Sequence, residues 1–320
     1  MRNDYDSDFT FRNMPPTRTW MVKADYPQPE TRNTCRGSRD SLHSNTPVFY
    51  IMHKQRNIIF YLSVLFLVIL GVAAAAAPLI APHPPTVQNL DQRFQSPGPE
   101  HLLGTDNFGR DILSRIIYGS RSALLVGIVA VTIAVIIGAI VGLAAGLTEG
   151  YTDNLLMLLM DSLLSFPTIL LAITVVSFLG YGLLQVMLAI GIIFSPVFAR
   201  LVRAETLAIK TEAYVEASRS LGTPLIKTVF KHIVPNLLGK VIVQCSITFA
   251  LTVVIEASLS YLGLGSQPPD PSWGLMLKDA RNYLVLAPWM AIYPGLALAL
   301  TVLCFNILGD TLAEKLNPKL

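Results

Sequence analysis

Charged side chains are scarce in this sequence. Asp, Glu, Lys and Arg make up 14% of its 320 residues, and 52% of the residues are hydrophobic. A soluble domain carries about 25% charged residues. The net charge of +3 is too small to indicate a nucleic-acid partner, and the basic residues lie at the ends of apolar runs. The composition predicts a protein embedded in membrane lipid, with no nucleic acid bound.

Side chains that do chemistry are also few. Cys35, Cys245 and Cys304 lie far apart and match no metal or redox spacing, so we interpret them as small hydrophobic residues. The sequence shows no nucleophile constellation and no His-Glu metal set, and His232 is interpreted as a surface residue. We predict no catalytic, cofactor-binding or metal-binding residues, and therefore no enzyme.

A phosphate-binding loop of the form G-x-x-x-x-G-K-[ST] is missing. Gly239 and Lys240 are followed by Val241, and the upstream glycine is absent. The chain is therefore expected to bind no cofactor.

The first 50 residues contain no apolar block behind a basic start, so they do not predict a cleavable signal peptide. They are polar, and we predict a disordered cytoplasmic tail over 1–50. Met14, Met21 and Met52 leave the true translation start open.

Long apolar runs, in contrast, are plentiful, and about 20 such residues suffice to cross a bilayer core. Two of them contain a proline, Pro167 or Pro196, which predicts a kink. The six runs, which predict six transmembrane helices in an all-α integral membrane fold, are Asn57–Ala77, Ser122–Leu147, Leu155–Leu179, Leu183–Val202, Val241–Leu264 and Ala287–Leu308.

Lys and Arg concentrate before the first run, around 203–240 and after the last run, while 78–121 and 265–286 hold fewer. The positive-inside rule therefore predicts that both termini and the 203–240 loop are cytoplasmic. An even number of spans agrees with this orientation.

A stripe of small residues runs along the second span, where Gly138, Gly142 and Gly146 repeat every four positions. Such spacing lets another helix approach closely. We favour packing within the chain over contact with another subunit.

Two segments on the predicted outer side look structured. Asp111 and Arg115 are spaced for an i,i+4 ion pair, and apolar residues beside them predict an interfacial helix within 101–121. The loop 265–286 is rich in proline and then amphipathic. The two segments form either a docking platform for an external partner or a simple closure of the helix ends.

The segment Thr211–Asn236 is charged and lies between apolar spans. It predicts a helix over Glu212–Leu221, a stop at Gly222 and a sharp bend. The second helix is predicted from Thr223 as cap, Pro224 as first position and Pro235 as stop. We interpret this basic helical hairpin as a docking surface; a surface hairpin with no partner is the alternative.

Two acids, Asp161 and Glu256, lie within or near apolar spans, where charge is costly. They either line a translocation path or hold neighbouring helices together. We favour the structural role.

Four motifs in order now resemble a known family. Glu216-Ala217-Ser218, then Gly222 and Val234-Pro235, resembles the EAA loop of bacterial ATP-binding cassette (ABC) importer permeases, with Ser218 and Val234 as mild departures. The other three are GTDNFGRD from Gly104, EASLSYLGLGSQPPDPSWG from Glu256 and FNILGD from Phe305. From about residue 55 to its end, the chain resembles the second permease subunit of the dipeptide/oligopeptide/nickel family.

The resemblance implies a type I ABC importer permease fold with cytoplasmic coupling helices, in a multi-pass protein of the bacterial inner membrane. It implies a related second permease, two cytoplasmic ATPases that use ATP, and a periplasmic substrate-binding protein. The divisions implied are a tail 1–50, a first transmembrane helix 51–81, a periplasmic segment 82–119, a permease domain 120–309 with coupling loop 203–238, and a tail 310–320. The implied ATPase-coupling residues are Glu212, Glu216, Ala217, Ser218, Gly222 and Pro235.

The expected cargo is a dipeptide or oligopeptide; nickel chelates, glutathione and antimicrobial peptides stay open. An ion-coupled secondary transporter is a rival of another class, but it predicts paired midplane charges and internal symmetry, which the lone acids fit poorly.

Overall fold

A computed structural model of the protein describes residues 47–148 and 150–316, except for the side chains of 47–57 and 219. The described part is mainly helical. Its long helices are α1 (Pro47–Ala75), α3 (Ile112–Leu147), α4 (Tyr151–Leu164), α5 (Thr168–Leu179), α6 (Leu183–Lys210), α9 (Val234–Leu262) and α11 (Trp289–Leu316). The short ones are α2 (Ala77–Ile80), α7 (Ala213–Ser220), α8 (Leu225–Thr228) and α10 (Trp273–Ala280), with 3-10 turns at Leu90–Gln92 and Arg281–Tyr283 and a π-helical turn at Val229–Ile233.

The inner ends of both predicted tails are helical. Residues 1–46 lie outside the described part, but 47–50 belong to α1. At the other end α11 continues to Leu316, beyond the predicted boundary at 310, because Gly309 lies inside the helix and packs closely on α9. The predicted tails therefore include residues that are helical.

Five helical stretches among the described residues are long and apolar enough to span a membrane, and α4 with α5 makes a sixth if the pair counts as one span. The axes of α4 and α5 differ by 95°. Proline at 167 has no N–H for a helical hydrogen bond. The fold class is confirmed, and the kink predicted at Pro167 is a full break.

Pro196 does not interrupt its helix, since α6 runs through it without a break. A proline leaves the carbonyl four residues earlier without its usual donor. Here the hydroxyl of Ser195 donates to that carbonyl, the oxygen of Ile192, at 2.7 Å. The adjacent serine thus satisfies the group that the proline leaves free.

The glycine stripe joins α3 to α6 as predicted. A Cβ at Gly138 would lie 2.5 Å from Phe198, one at Gly142 would lie 2.5 Å from the backbone of Ala199, and one at Gly146 would meet Thr206. The two helices run parallel, because the contacts advance together along both. The packing within one chain is confirmed.

The helices alternate in direction between two ends of the bundle. At one end lie residues 81–111 and 263–288, here called the cap; at the other lies the segment 211–236, here called the hairpin. Helices α3, α6 and α11 run from cap to hairpin, and α9 runs back. Lys315 near the end of α11 lies 4.4 Å from the ring of Phe60 in α1, so the part of α1 around Phe60 lies beside the end of α11.

The prediction of a separate interfacial helix within 101–121 is wrong. Residues from Ile112 form the first turns of α3, whose 36 residues reach about 54 Å. Ser120 and Ser122, near the predicted start of the span, do not interrupt α3. Their hydroxyls donate to carbonyls of the preceding turn. The indole of Trp273 covers Gly119 and donates to the carbonyl of Ile116.

The predicted ion pair between Asp111 and Arg115 is also wrong. Asp111 is the N-cap of α3, and its carboxylate accepts from the backbone N–H of Ser114 at 2.8 Å. Arg115 instead lies 3.7 Å from Asp106 and donates to the carbonyl of Pro85. The carboxylate of Asp111 therefore makes the N-cap hydrogen bond of α3 in place of the i,i+4 ion pair.

Candidate coupling surface

The hairpin begins where α6 ends, with α7 following after Thr211 and Glu212. The chain reverses at Leu221–Pro224, where Gly222 has a φ of 77°. No atom would come within 4 Å of a Cβ at Gly222. The glycine is therefore needed for its left-handed backbone, which costs other residues about 1–2 kcal/mol, and not to make room.

Three expectations for the second helix of the hairpin are wrong. The N-cap of α8 is Pro224, which has no side-chain cap, and Thr223 instead donates its N–H to the carbonyl of Ser218. Pro235 does not stop the helix. The π-helical turn Val229–Ile233 precedes it, and the widened turn lets the helix continue as one stretch from Leu225 to Leu262.

One apolar side chain anchors α7 to the bundle. Val215 is 1% exposed. It belongs to a small cluster of buried residues drawn from α6, the π-helical turn and α9, namely Val202, Ile209, Val215, Val229, Ile233 and Leu237. This cluster also packs against α3, so Val215 connects α7 to helices α3, α6 and α9.

Polar contacts fix the two arms of the hairpin to each other. The amide of Asn236 donates to the hydroxyl of Tyr214 at 3.0 Å and to the carbonyl of His232 at 2.7 Å. The rings of Tyr214 and His232 lie 5.7 Å apart. His232 is half-buried in this contact, so it is less of a surface residue than expected.

Five of the six predicted coupling residues lie together on the hairpin, and most of them are exposed. Glu212, Glu216 and Ala217 are exposed on α7 or just before it, Gly222 is exposed at the bend, and Ser218 is half-buried. Pro235 is exposed too, on the first turn of α9. The structure brings the first five together around one bend.

Sequence reasoning missed the apolar part of this surface. Leu221, Ile226 and Phe230 are 87%, 72% and 70% exposed on the hairpin. Large apolar side chains beside a glycine bend in a charged segment are a signal for a docking surface. The hairpin thus presents both polar and large apolar side chains for binding a partner.

Asp161 lies in α4 and pairs with Arg200 of α6 at 2.6 Å. A second pair, between Asp153 and Arg203, joins the same two helices with two bonds of 2.6 Å and was not predicted. Both pairs hold the broken span against α6, which favours the structural role for Asp161.

Glu256 is 1% exposed in α9. The hydroxyl of Ser260 donates to its carboxylate at 2.7 Å and accepts the backbone N–H of Ser266. Glu256 thus supports the turn that enters the cap. Its burial inside the chain favours the structural role here as well.

The GTDNFGRD motif turns inward and builds the cap. Asp106 accepts from Arg110 at 2.6 Å, and Arg110 reaches Asp279 of α10 at 3.1 Å. The carbonyl of Thr105 accepts from the indole of Trp289 at the start of α11. These bonds close the helix ends, and they leave the motif's buried side chains unavailable to a docking partner.

A cleft of about 480 Å³ opens beside the cap, between the first part of α3 and the loop before α10. Its lining carries one cation and one anion, both exposed, Arg121 and Asp270, together with Tyr118 and Gln267.

Residues 134–320 match the family described as binding-protein-dependent transport system inner membrane component. Residues 55–97 match the N-terminal transmembrane domain of oligopeptide transport permease C. The two matches together leave the N-terminal residues and 98–133 outside them.

Curated relatives match most of the chain. A glutathione transport system permease protein GsiD of Shigella flexneri is 45% identical over 257 residues, which are 80% of this chain and 85% of the relative. GsiD of Pectobacterium atrosepticum is 43% identical, with 72% and 76% covered. A dipeptide transport system permease protein DppC of Alkalihalophilus pseudofirmus is 40% identical, with 77% and 81% covered.

One solved structure shows the same fold. It is an inward-facing form of the MetNI methionine ABC transporter, with a TM-score of 0.54, 20% identity, and coverage of 63% of this chain and 96% of that chain. At this identity the likeness concerns the fold alone.

Proposed function

Because this chain belongs to the family of binding-protein-dependent transport system inner-membrane components, we propose that it is one of two related permease subunits in an ATP-driven importer of peptide-like solutes. The importer would lie in the bacterial inner membrane, with the hairpin end and both termini in the cytoplasm. The excess of Lys and Arg near the hairpin supports this orientation.

The observation that carries the proposal is the exposed hairpin with its buried anchor. Its apolar tip, formed by Leu221, Ile226 and Phe230, has no cover within the described chain. Val215 links the same element to the bundle. A cytoplasmic ATPase that binds the tip can therefore move α6 and α9 when ATP binding brings two such ATPases together.

A second permease is supported by the broken span. No residue of α4 is buried, and α5 buries only Ala172 and Val176. Six helices from one chain cannot both enclose a peptide-sized path and shield it from lipid. The exposed face of α4 and α5 is thus the expected side of contact with the related subunit.

Dipeptides or short oligopeptides are the proposed cargo. Relatives are named for dipeptide and glutathione transport, and glutathione is itself a tripeptide. Arg121 and Asp270 in the cleft beside the cap could attract the carboxylate and the amine of such a solute. A periplasmic binding protein would deliver it to this end. Nickel chelates and antimicrobial peptides remain cargo alternatives, and family membership argues against an ion-coupled carrier.

The coupling role is tested by Gly222→Val. A β-branched residue is strained at a φ of 77°, so the bend should change shape while the spans remain. We expect insertion and expression to be normal and solute uptake to fall at least tenfold, with loss of ATPase co-purification.

Gly150→Val is the matched control, because Gly150 also has a positive φ, 84°, with open space around it, but lies before α4. It should keep uptake near the wild-type rate. Full uptake by Gly222→Val at normal expression would overturn the coupling role. The cargo is tested separately, by measuring which peptides or chelates are retained by the binding protein encoded beside this permease.

A further inference from the structure

Three potential metal ligands meet in the cap. His83, His101 and Asp111 each offer one ligand atom, and these three atoms lie within 4.8 Å of one another. The two imidazole rings are 4.8 Å apart, and Nδ1 of His101 lies 2.9 Å from Oδ1 of Asp111. His101 and Asp111 are buried, whereas His83 is half-buried and leaves an approach from solvent.

The opposite atom of each ligand is already held by a hydrogen-bond partner. Nε2 of His83 lies 3.1 Å from the carbonyl oxygen of Glu100, and Nε2 of His101 lies 3.4 Å from Oε1 of Gln92. Oδ2 of Asp111 accepts both the N–H and the hydroxyl of Ser114. Histidines that bind metals nearly always donate their other N–H to such an oxygen, and ligating carboxylates are hydrogen-bonded in the same way.

Because these partners occupy both Nε2 atoms and Oδ2, we assign Nδ1 of each histidine and Oδ1 of Asp111 as the ligand atoms. If both Nε2 atoms donate to their oxygens, both neutral rings present an unprotonated Nδ1, which is the form that binds a metal. Without a metal ion, the 2.9 Å contact between His101 and Asp111 is a hydrogen bond donated by Nδ1 of the other tautomer, so metal binding requires the ring proton to lie on Nε2 instead.

We propose that His83, His101 and Asp111 form a binding site for a divalent transition-metal ion of the Zn²⁺ class, with water completing the coordination. Two imidazoles and one carboxylate are common Zn²⁺ ligands, at about 2.0–2.2 Å from the ion. Tetrahedral geometry then places ligand atoms about 3.4 Å apart. The observed spacing needs only small side-chain shifts to reach it.

The ion would fasten the start of the cap to the first turn of α3. It would join residue 83, just after α2, to the N-cap of α3 and to the loop between them. The positive end of the α3 dipole opposes a cation at this position, so the site should be weaker than a four-ligand structural zinc site. The ligands were missed in the sequence because they lie 18 and 10 residues apart, which matches no short metal-binding spacing.

The test uses the full-length chain purified in detergent without a polyhistidine tag. Zn²⁺ binding is measured by metal analysis after dialysis and by competition with a chromophoric chelator. Co²⁺ replaces Zn²⁺ in a parallel sample, where tetrahedral coordination gives intense visible absorption. We expect about one Zn²⁺ per chain and a melting temperature that rises when Zn²⁺ is added.

Two variants remove one ligand each. His83→Gln removes a half-buried ring, and Asp111→Asn removes the charge but keeps a good N-cap residue. Each should weaken Zn²⁺ binding at least tenfold and abolish the rise in melting temperature. His232→Gln, which changes a half-buried histidine at the hairpin, should leave both unchanged.

Equal Zn²⁺ affinity in the wild type and in a folded His83→Gln or Asp111→Asn chain would overturn the proposal. A wild-type chain without tetrahedral Co²⁺ absorption would overturn it as well, and that result does not depend on any variant folding. Neither outcome bears on transport, because the site lies in the cap and the proposed coupling surface lies in the hairpin.

Discussion

The GTDNFGRD motif of the cap buries its charged residues, whereas the two acids of the hairpin motif are exposed. Asp106, Arg110 and Arg115 are at most 5% exposed, and they bond to one another and to α10. Glu212 and Glu216 are exposed on the hairpin. Both ends carry motifs of the same family, so a motif alone does not say whether its residues hold the fold or meet a partner. Burial separates the two roles.

The comparison predicts that the largest loss of stability comes from Asp106→Ala. This change leaves Arg115 buried without its paired carboxylate and leaves Arg110 with Asp279 alone. Breaking a buried ion pair by removing one partner costs about 3–5 kcal/mol. We expect little monodisperse protein after solubilisation and a large drop in melting temperature, measured by fluorescence-detected size exclusion during heating.

Asp91→Ala is the control for this prediction, because Asp91 belongs to the cap but is exposed. It should change stability by no more than about 0.5 kcal/mol. A stable Asp106→Ala chain would show that the cap network contributes little, and the contrast between the two ends would then fail.

Much of the fold follows from the sequence because apolar runs must cross the bilayer as helices. The glycine stripe also predicts its own packing, since only small residues allow the approach seen between Gly138 and Phe198. Helix ends were harder. The predicted breaks before Ser122 and at Pro235 did not form, because side-chain hydroxyls and a π-helical turn supply hydrogen bonds that local rules do not anticipate.

The sequence pattern identified the candidate coupling residues, but it did not predict which of them are exposed to solvent. The same sequence rule that marks Val215 as helical says nothing of its burial, which depends on α6 and α9. The exposed tip at Leu221 and Phe230 likewise needed the tertiary structure. Local sequence patterns do not predict contacts between residues distant in sequence, such as the ion pair of Arg110 with Asp279.

A second prediction separates docking from stability with two matched leucines. Leu221 on the hairpin is 87% exposed, and Leu79 near the cap is 88% exposed. Serine at either position should change the stability of the isolated chain by less than about 0.5 kcal/mol. Leu221→Ser should nevertheless reduce ATPase co-purification about tenfold, as removal of one interface residue worth about 1.4 kcal/mol would do.

Leu79→Ser should retain the ATPases at the wild-type level, as measured by quantitative pull-down from solubilised membranes. Equal retention by both variants would mean that the apolar tip is not a contact, and the hairpin would then couple through α7 alone.

The smallest loss of stability is expected from breaking the ion pair of Asp161 with Arg200, which lies between the cap and the hairpin. Their side chains are 49% and 54% exposed, while those of Asp153 and Arg203 are 14% and 33% exposed. Exposed pairs contribute about 0–1 kcal/mol. Asp161→Asn should therefore lower stability less than Asp153→Asn and leave the KM for solute uptake unchanged. A change in KM for some solutes and not others, with the complex intact, would instead place Asp161 on the translocation path, because a residue that only braces α4 against α6 has no means of distinguishing one cargo from another.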